Sequence, residues 1–254
     1  MGAQEGAWVN TKFNCILYGE SGVGKTPFCG TLEAYEKTSP CLLLDVDMGS
    51  MSLDGMKPKP TVVSLDDFSD LERIQALIER HEWEKLAIGL SKRAGLEVPI
   101  LEYKSLVIDS GTEIEYWLRR SIVSADDRQE GIPDQPHYLK TQERYRSLYR
   151  KLRDLPITVV VTAGVRELKE ESTGVVKRFP DFQPSLCHDL VRMTDLVMYM
   201  GAVAEGTGKD LKWERHLITS LSRRFVARSR CPGLPPLMQA ERFHFKDIGE
   251  KVLS

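Results

Sequence analysis

The octapeptide Gly19-Glu20-Ser21-Gly22-Val23-Gly24-Lys25-Thr26 constrains this chain more than any other stretch. It satisfies GxxxxGK[ST] and lies between an apolar run of strand length, Phe13 to Tyr18, and a segment of helical period that begins at Lys25. In that context the glycines let the backbone turn so that successive N–H groups converge on phosphate oxygens. The following helix adds the positive end of its dipole. A lysine at position 25 reaches the β- and γ-phosphates of a nucleoside triphosphate, and the Thr26 hydroxyl is placed to ligate Mg²⁺. The contact set expected from the motif is therefore Gly19, Glu20, Ser21, Gly22, Val23, Gly24, Lys25, Thr26 and Pro27, with ATP and Mg²⁺ as its ligands.

Apolar runs of strand length recur at Phe13 to Tyr18, Pro40 to Val46, Thr61 to Leu65, Ser105 to Ile108, Ile157 to Thr162 and Leu196 to Met200. Helical-period segments stand between most of them, at Lys25 to Lys37, Asp66 to Glu84, Thr112 to Ser124 and Tyr138 to Asp154. Continuous rather than alternating apolar strands belong to parallel sheets covered on both faces. The character changes after residue 162. Val165 to Phe182 reads as a hairpin turning at Ser172-Thr173-Gly174, and Arg215 to Ser229 as two further strands. The predicted fold class is α/β, a mostly parallel central sheet flanked by helices, with an antiparallel C-terminal extension of the same sheet. Residues 1–11 read as an N-terminal tail, 12–231 as one domain, and 232–254, opened by Pro232-Gly233-Leu234-Pro235-Pro236, as a C-terminal tail.

Composition narrows the partners. Lysine and arginine number 35 against 37 acids, a net charge of -2, so nucleic acid or an anionic membrane would have to be met by local patches. Cys15, Cys29, Cys41, Cys187 and Cys231 are scattered without zinc spacing, which predicts buried free thiols in a reducing compartment. Cys187-His188 reads as structural. No signal peptide or long apolar run is apparent, so the expectation is a cytoplasmic protein with no membrane partner.

A triphosphate with Mg²⁺ needs a carboxylate near the metal and a group that orients the attacking water, both at the carboxyl ends of strands. Ser105-Leu106-Val107-Ile108-Asp109-Ser110 supplies the first, with Asp109 as a metal ligand, direct or through water. The alternative is a helix N-cap formed by Asp109 or Ser110. Asp45 and Asp47 end a second strand, and strand alternation places both on one side. Asp47, nearer the catalytic edge, is the candidate base, with Glu113 its rival and a solvated loop acid the plainer alternative.

Gly19 to Thr26, Leu42-Leu43-Leu44-Asp45-Val46-Asp47-Met48-Gly49, Val107-Ile108-Asp109-Ser110-Gly111-Thr112-Glu113 and Val159-Val160-Val161-Thr162-Ala163 together resemble the phage and prophage RecA-like ATPases that carry only the recombinase core, some of them single-strand-annealing proteins. The resemblance spans about residues 12 to 230 and implies a RecA-like P-loop fold and ATP hydrolysis in sites shared between subunits of a homo-oligomer. It also implies action on single-stranded DNA in phage recombination or annealing, in the host cytoplasm, with a single-strand-binding protein as a further partner. Arg228 and Arg230 match the position of the basic pair that reaches a neighbour's γ-phosphate, and period 2 places both on one face. Two solvated arginines on an edge strand are the alternative. Gly164 stands where relatives carry His, leaving Thr162 or Arg166 as the γ-phosphate sensor.

By the same resemblance, two segments would face DNA. Ser124 to Pro136 carries Asp126, Asp127, Glu130 and Asp134 against Arg128, a poor surface for phosphates. The hairpin carries Arg166, Lys169, Lys177 and Arg178, with Phe179 and Phe182 for stacking and Glu167, Glu170 and Glu171 as diluents. On Tyr138 to Asp154, Lys140, Arg144 and Lys151 share an outer face while Tyr145, Leu148 and Leu152 turn inward. Two other readings remain open at this point: a P-loop kinase for a small molecule, and a nucleotide-switched binding module with little turnover.

Overall fold

The computed structural model describes residues 11–126, 132–205, 212–231 and 233–253. Residues 1–10 of the expected N-terminal tail, and Asp127, Arg128 and Glu130 of the acidic segment, lie outside the described residues.

The chain begins with β1 (Asn14–Gly19) and α1 (Lys25–Gly30), which tightens into a 3-10 turn over Thr31–Ala34, then β2 (Cys41–Asp45) and β3 (Thr61–Ser64). Two helices follow, α2 (Phe68–Glu79) and α3 (Trp83–Ala94), then β4 (Ser105–Asp109), α4 (Gly111–Ser124), α5 (Gln135–Asp154) and β5 (Thr158–Ala163). A hairpin, β6 (Val165–Lys169) and β7 (Val176–Pro180), precedes α6 (Pro184–Met193) and β8 (Leu196–Glu205). The chain closes with β9 (Lys212–Ile218), β10 (Arg228–Ser229), β11 (Leu237–Gln239) and α7 (Phe245–Val252).

The main sheet runs in the order β11-β9-β8-β1-β5-β4-β2-β3, with β10 pairing the start of β8. From β8 to β3 all neighbours are parallel; β9, β10 and β11 add antiparallel pairs at the other edge. Alternation sorts the buried strand residues into two cores. Ile16, Leu42, Leu44, Val159 and Val161 face α2 to α6, whereas Cys15, Leu17, Leu43, Val107 and Val160 face α1 and α7. This is the α/β class expected, a mostly parallel central sheet flanked by helices with antiparallel strands toward the C-terminus. β5 lies between β1 and β4, so the phosphate loop and the end of β4 open onto one crevice with β5 between them.

Several elements differ from the sequence reading. The helix expected over Asp66 to Glu84 is two helices, divided where His81 adopts a left-handed φ of 56°. Asp67 starts the first by accepting bonds from the Ser69 and Asp70 amides, and Gly95, φ 67°, ends the second. α6, headed by Pro184, buries Leu186, Cys187 and Leu190, so Cys187 packs as a core thiol. The β6–β7 hairpin is a separate two-stranded sheet rather than part of the main one. Residues read as a C-terminal tail supply β11 and α7: Phe245 is fully buried, 4.8 Å from the Phe28 ring and 6.1 Å from Phe13. Phe245→Ala is expected to cost about 3–5 kcal/mol of unfolding free energy, read as a lower urea midpoint. A midpoint unchanged from wild type would mean that α7 does not belong to the cooperative unit.

Candidate functional site

The loop from Gly19 to Thr26 joins a fully buried strand to a helix, as the motif requires. Gly22 and Gly24 have φ of 76° and 102°, backbone that side chains resist, and a Cβ on Gly19 would stand 2.2 Å from the Met200 carbonyl oxygen. Lys25 is half-buried, and its Nζ donates to the Gly19 and Glu20 carbonyls at 3.0 Å each. Burial draws the ammonium below its ordinary value, and Asp109, Asp47 and Glu20 oppose that pull.

Asp109, at the end of β4, is buried and doubly engaged. Thr26 Oγ1 donates to its Oδ2 at 2.5 Å, and Thr162 Oγ1, from the intervening β5, donates to its Oδ1. The N-cap role falls instead to Ser110, whose hydroxyl accepts from the Glu113 amide. The glycine-turned loop and the Thr26–Asp109 pair fit a phosphate chain with Mg²⁺: a hydroxyl and a carboxylate are usual protein ligands of that ion, and Thr26 and Asp109 would hold it. Thr162 therefore orients Asp109.

The strand carrying Asp45 and Asp47 stops at Asp45, and the alternation expected to align the two acids stops with it. Asp45 is buried, its oxygens accepting the Gly49 and Ser50 amides at 3.0 and 3.1 Å. The Val46 and Asp47 amides both turn to the Asp109 carbonyl. That bend sets Asp47 in the field of Lys25 and Asp109 with its outer edge exposed. Desolvation pushes its carboxyl above the ordinary range and Asp109 adds to this, while a hydrogen bond with Ser110 and the Lys25 charge pull it back. Glu113 lines a different cleft, of about 400 Å³, with Arg119, Arg166 and Asp181.

A family model described as an AAA domain matches residues 11–231. The chain belongs to that family. No curated protein matches its sequence. Among solved structures, the flagellar accessory protein FlaH from Methanocaldococcus jannaschii is 10% identical, over 92% of this chain and 87% of FlaH, with a TM-score of 0.48. A RadB recombinase is 13% identical, over 91% of this chain and 87% of its own, at a TM-score of 0.47. No helix among the described residues of this AAA-domain protein is long and apolar enough to cross a membrane.

The remaining expected site residues sit elsewhere in the AAA domain. Arg228 and Arg230 do share a face, and both reach the Arg192 carbonyl, at 3.2 and 2.8 Å, near the C-terminus of α6. Arg230 also pairs with Asp195 at 3.2 Å. β10 pairs with Val197 and Leu196, whereas the phosphate loop leaves β1 level with Met200, so within one chain these arginines stand at the opposite end of the strands from the loop. Both guanidinium groups are occupied in closing a helix terminus, where cations are favoured. Arg166 lies 5.7 Å over the Phe179 ring on the hairpin.

Phe179, half-buried and packed against the core, is flanked by Arg166 across the ladder and by Lys177 two residues back, 5.4 Å from the ring. Phe182, expected to stack on bases, is buried against Tyr145 instead. Arg178 is held by Glu167 at 2.7 Å and packs on Phe225. A bond from the Arg178 amide to the Arg224 carbonyl lays residues 222–226 along β7. That brings Arg223, which the sequence reading omits, into a groove of about 510 Å³ with Lys169, Lys177, Phe179 and Glu170. On α5, Tyr145, Leu148 and Leu152 are buried as expected, while Arg144 is engaged by Glu72 and Phe68.

The second omitted residue is Arg215 on β9. Its guanidinium lies 3.4–3.5 Å from where a Cβ on Gly24 would be, against the phosphate loop. Nothing local in Glu214-Arg215-His216 signals this, because the contact depends on how far β8 outruns β1.

Proposed function

We propose that this protein hydrolyses ATP with Mg²⁺ and couples the cycle to handling single-stranded DNA. The observation that carries the first half is the convergence of Lys25, Thr26, Asp109 and Asp47 at the carboxyl ends of β1, β4 and β2. The loop amides and Lys25 hold the β- and γ-phosphates in place. Thr26 and Asp109 would hold Mg²⁺, which supplies positive charge to the phosphate oxygens. Asp47, its carboxyl raised toward basicity, orients water opposite the leaving β-phosphate. Water oxygen bonds to the γ-phosphorus, the bond to the β–γ bridging oxygen breaks, and a water proton passes to Asp47. ADP and phosphate leave.

The DNA half rests on the hairpin groove, where Lys169, Lys177 and Arg223 outnumber Glu170 and Phe179 offers a ring. Cations tracking a backbone beside an aromatic platform suit single strands without sequence preference. Action in recombination or annealing, phage origin, assembly into a homo-oligomer and pairing with a single-strand-binding protein belong to the same proposal. They are supported by the sequence resemblance.

Steady-state phosphate release from ATP, with and without single-stranded DNA, tests the reading. A rise with DNA is expected, and turnover indifferent to DNA would remove the coupling. Lys169→Ala with Lys177→Ala and Arg223→Ala is expected to weaken DNA binding by roughly 10- to 100-fold at 0.1 M salt and to flatten the log–log salt slope by about 2 to 3. An unchanged slope would take the groove out of the DNA path.

A further inference from the structure

β8 does not stop where β1 does. Their pairing ends at Gly19 with Met200, yet β8 continues through Glu205, and β9 returns beside it with Met200 opposite Leu217 and Ala202 opposite Arg215. A two-stranded ribbon therefore stands past the sheet edge, next to the phosphate loop. Alternation then fixes which face Arg215 uses. Leu217 is buried in the core that contains Val23 and Phe28, on the α1 side of the sheet, and Arg215, two residues away, faces the same side about 7 Å farther out.

That displacement puts the Arg215 guanidinium against Gly24, the residue that opens α1, with Nη1, Cζ and Nε all within 3.5 Å of where a Cβ would stand. Gly24 has φ 102°, so any side chain here meets both backbone strain and the arginine. The backbone of Arg215 is pinned: its amide donates to Glu241 at 3.1 Å and its carbonyl accepts from Ala240. Its guanidinium, by contrast, makes no hydrogen bond or ion pair among the described residues. A fixed main chain here presents an uncommitted planar cation beside the phosphate loop, and a guanidinium so placed suits the oxygens of a phosphate chain. Arg228 and Arg230, by comparison, are committed to helix carbonyls and Asp195.

Resting on the reading of the Gly19–Thr26 loop as an ATP site, we infer that Arg215 binds the phosphate chain of the nucleotide in cis, so that the arginine of this site comes from the β8–β9 ribbon of the same chain. The ligand class is a nucleoside di- or triphosphate.

The test uses the full chain and measures ATP and ADP affinity by calorimetry for wild type, Arg215→Ala, Arg215→Lys and Lys25→Ala, with thermal melts to confirm folding. Arg215→Ala is expected to weaken ATP by roughly 10- to 100-fold, the loss of a charge-assisted bond or a bidentate pair, with Arg215→Lys recovering part of it. Arg215→Ala binding ATP like wild type, with Lys25→Ala binding none, would overturn the role of Arg215 and leave the site standing. Wild type that binds no nucleotide would overturn the reading of the site itself. Mixing Arg215→Ala with Lys25→Ala separates cis from trans. No recovery of turnover at any ratio is expected, whereas recovery through mixed interfaces would show that Arg215 serves a neighbour and overturn the cis assignment.

Discussion

Lys25→Ala is expected to fold like wild type and to lose ATP binding and turnover by at least about 100-fold. The ammonium sits in a partly dehydrated position that burial disfavours, and its hydrogen-bond acceptors among the described residues are the Gly19 and Glu20 carbonyls at the loop mouth. Removing it relieves that cost, so stability should hold. The nucleotide loses more. A lysine that reaches two phosphates contributes charge-assisted bonds of about 1.5–3 kcal/mol each, and the loop amides left behind are dipoles without a full charge. A melt within a few degrees of wild type together with calorimetry on ATP checks both halves. A variant that melts normally and still binds ATP at wild-type affinity would mean that the loop is not where the nucleotide sits.

How much of this was legible in the sequence depends on how far a residue's partner lies from it. β1, the phosphate loop and β4 were readable because a strand buried on both faces is written as an unbroken apolar run, and an acid closing such a run falls at a sheet edge. The sequence keeps a helical pattern from Lys25 to Lys37, which predicts a longer α1. In the structure it tightens after Gly30, where a Cβ would meet Met56 and Leu53 at under 3 Å, a contact from a later segment that no local pattern records. α6 opens on Pro184, a residue that marks a helix start as readily as a break, and α7 spans only 8 residues. The hairpin is legible, but its partly exposed strands carry no signal of which sheet they join. Asp47 follows a bend after Asp45, which ends the alternation that would set the two acids on one side. Arg215 and Arg223 were invisible for one reason: each is brought to its site by strand register across a gap in sequence, Arg215 through the overhang of β8 and Arg223 through the bond between Arg178 and Arg224.

The choice of substitution at Asp109 separates its two duties. Its carboxylate holds the Thr26 and Thr162 hydroxyls and stands where Mg²⁺ would be held, so truncation to alanine strips a partner from Thr162, which is fully buried. An orphaned buried hydroxyl costs about 1–3 kcal/mol, and Asp109→Ala is expected to lower the thermal midpoint for that reason alone. Asparagine keeps the shape. Its amide oxygen accepts from one threonine and its NH2 donates to the other, whose hydroxyl can reverse, so both contacts survive without the charge. Asp109→Asn should therefore melt near wild type, retain nucleotide affinity in the absence of Mg²⁺, and lose the gain that Mg²⁺ brings, with turnover down roughly 100- to 1,000-fold, on the scale of about 3–4 kcal/mol of lost transition-state stabilisation. Calorimetry on ATP with and without Mg²⁺ distinguishes the duties: an Asp109→Asn protein in which Mg²⁺ still tightens ATP binding as in wild type would assign the carboxylate to holding Thr26 and Thr162 alone, and would move the metal to the phosphates and Thr26 without it.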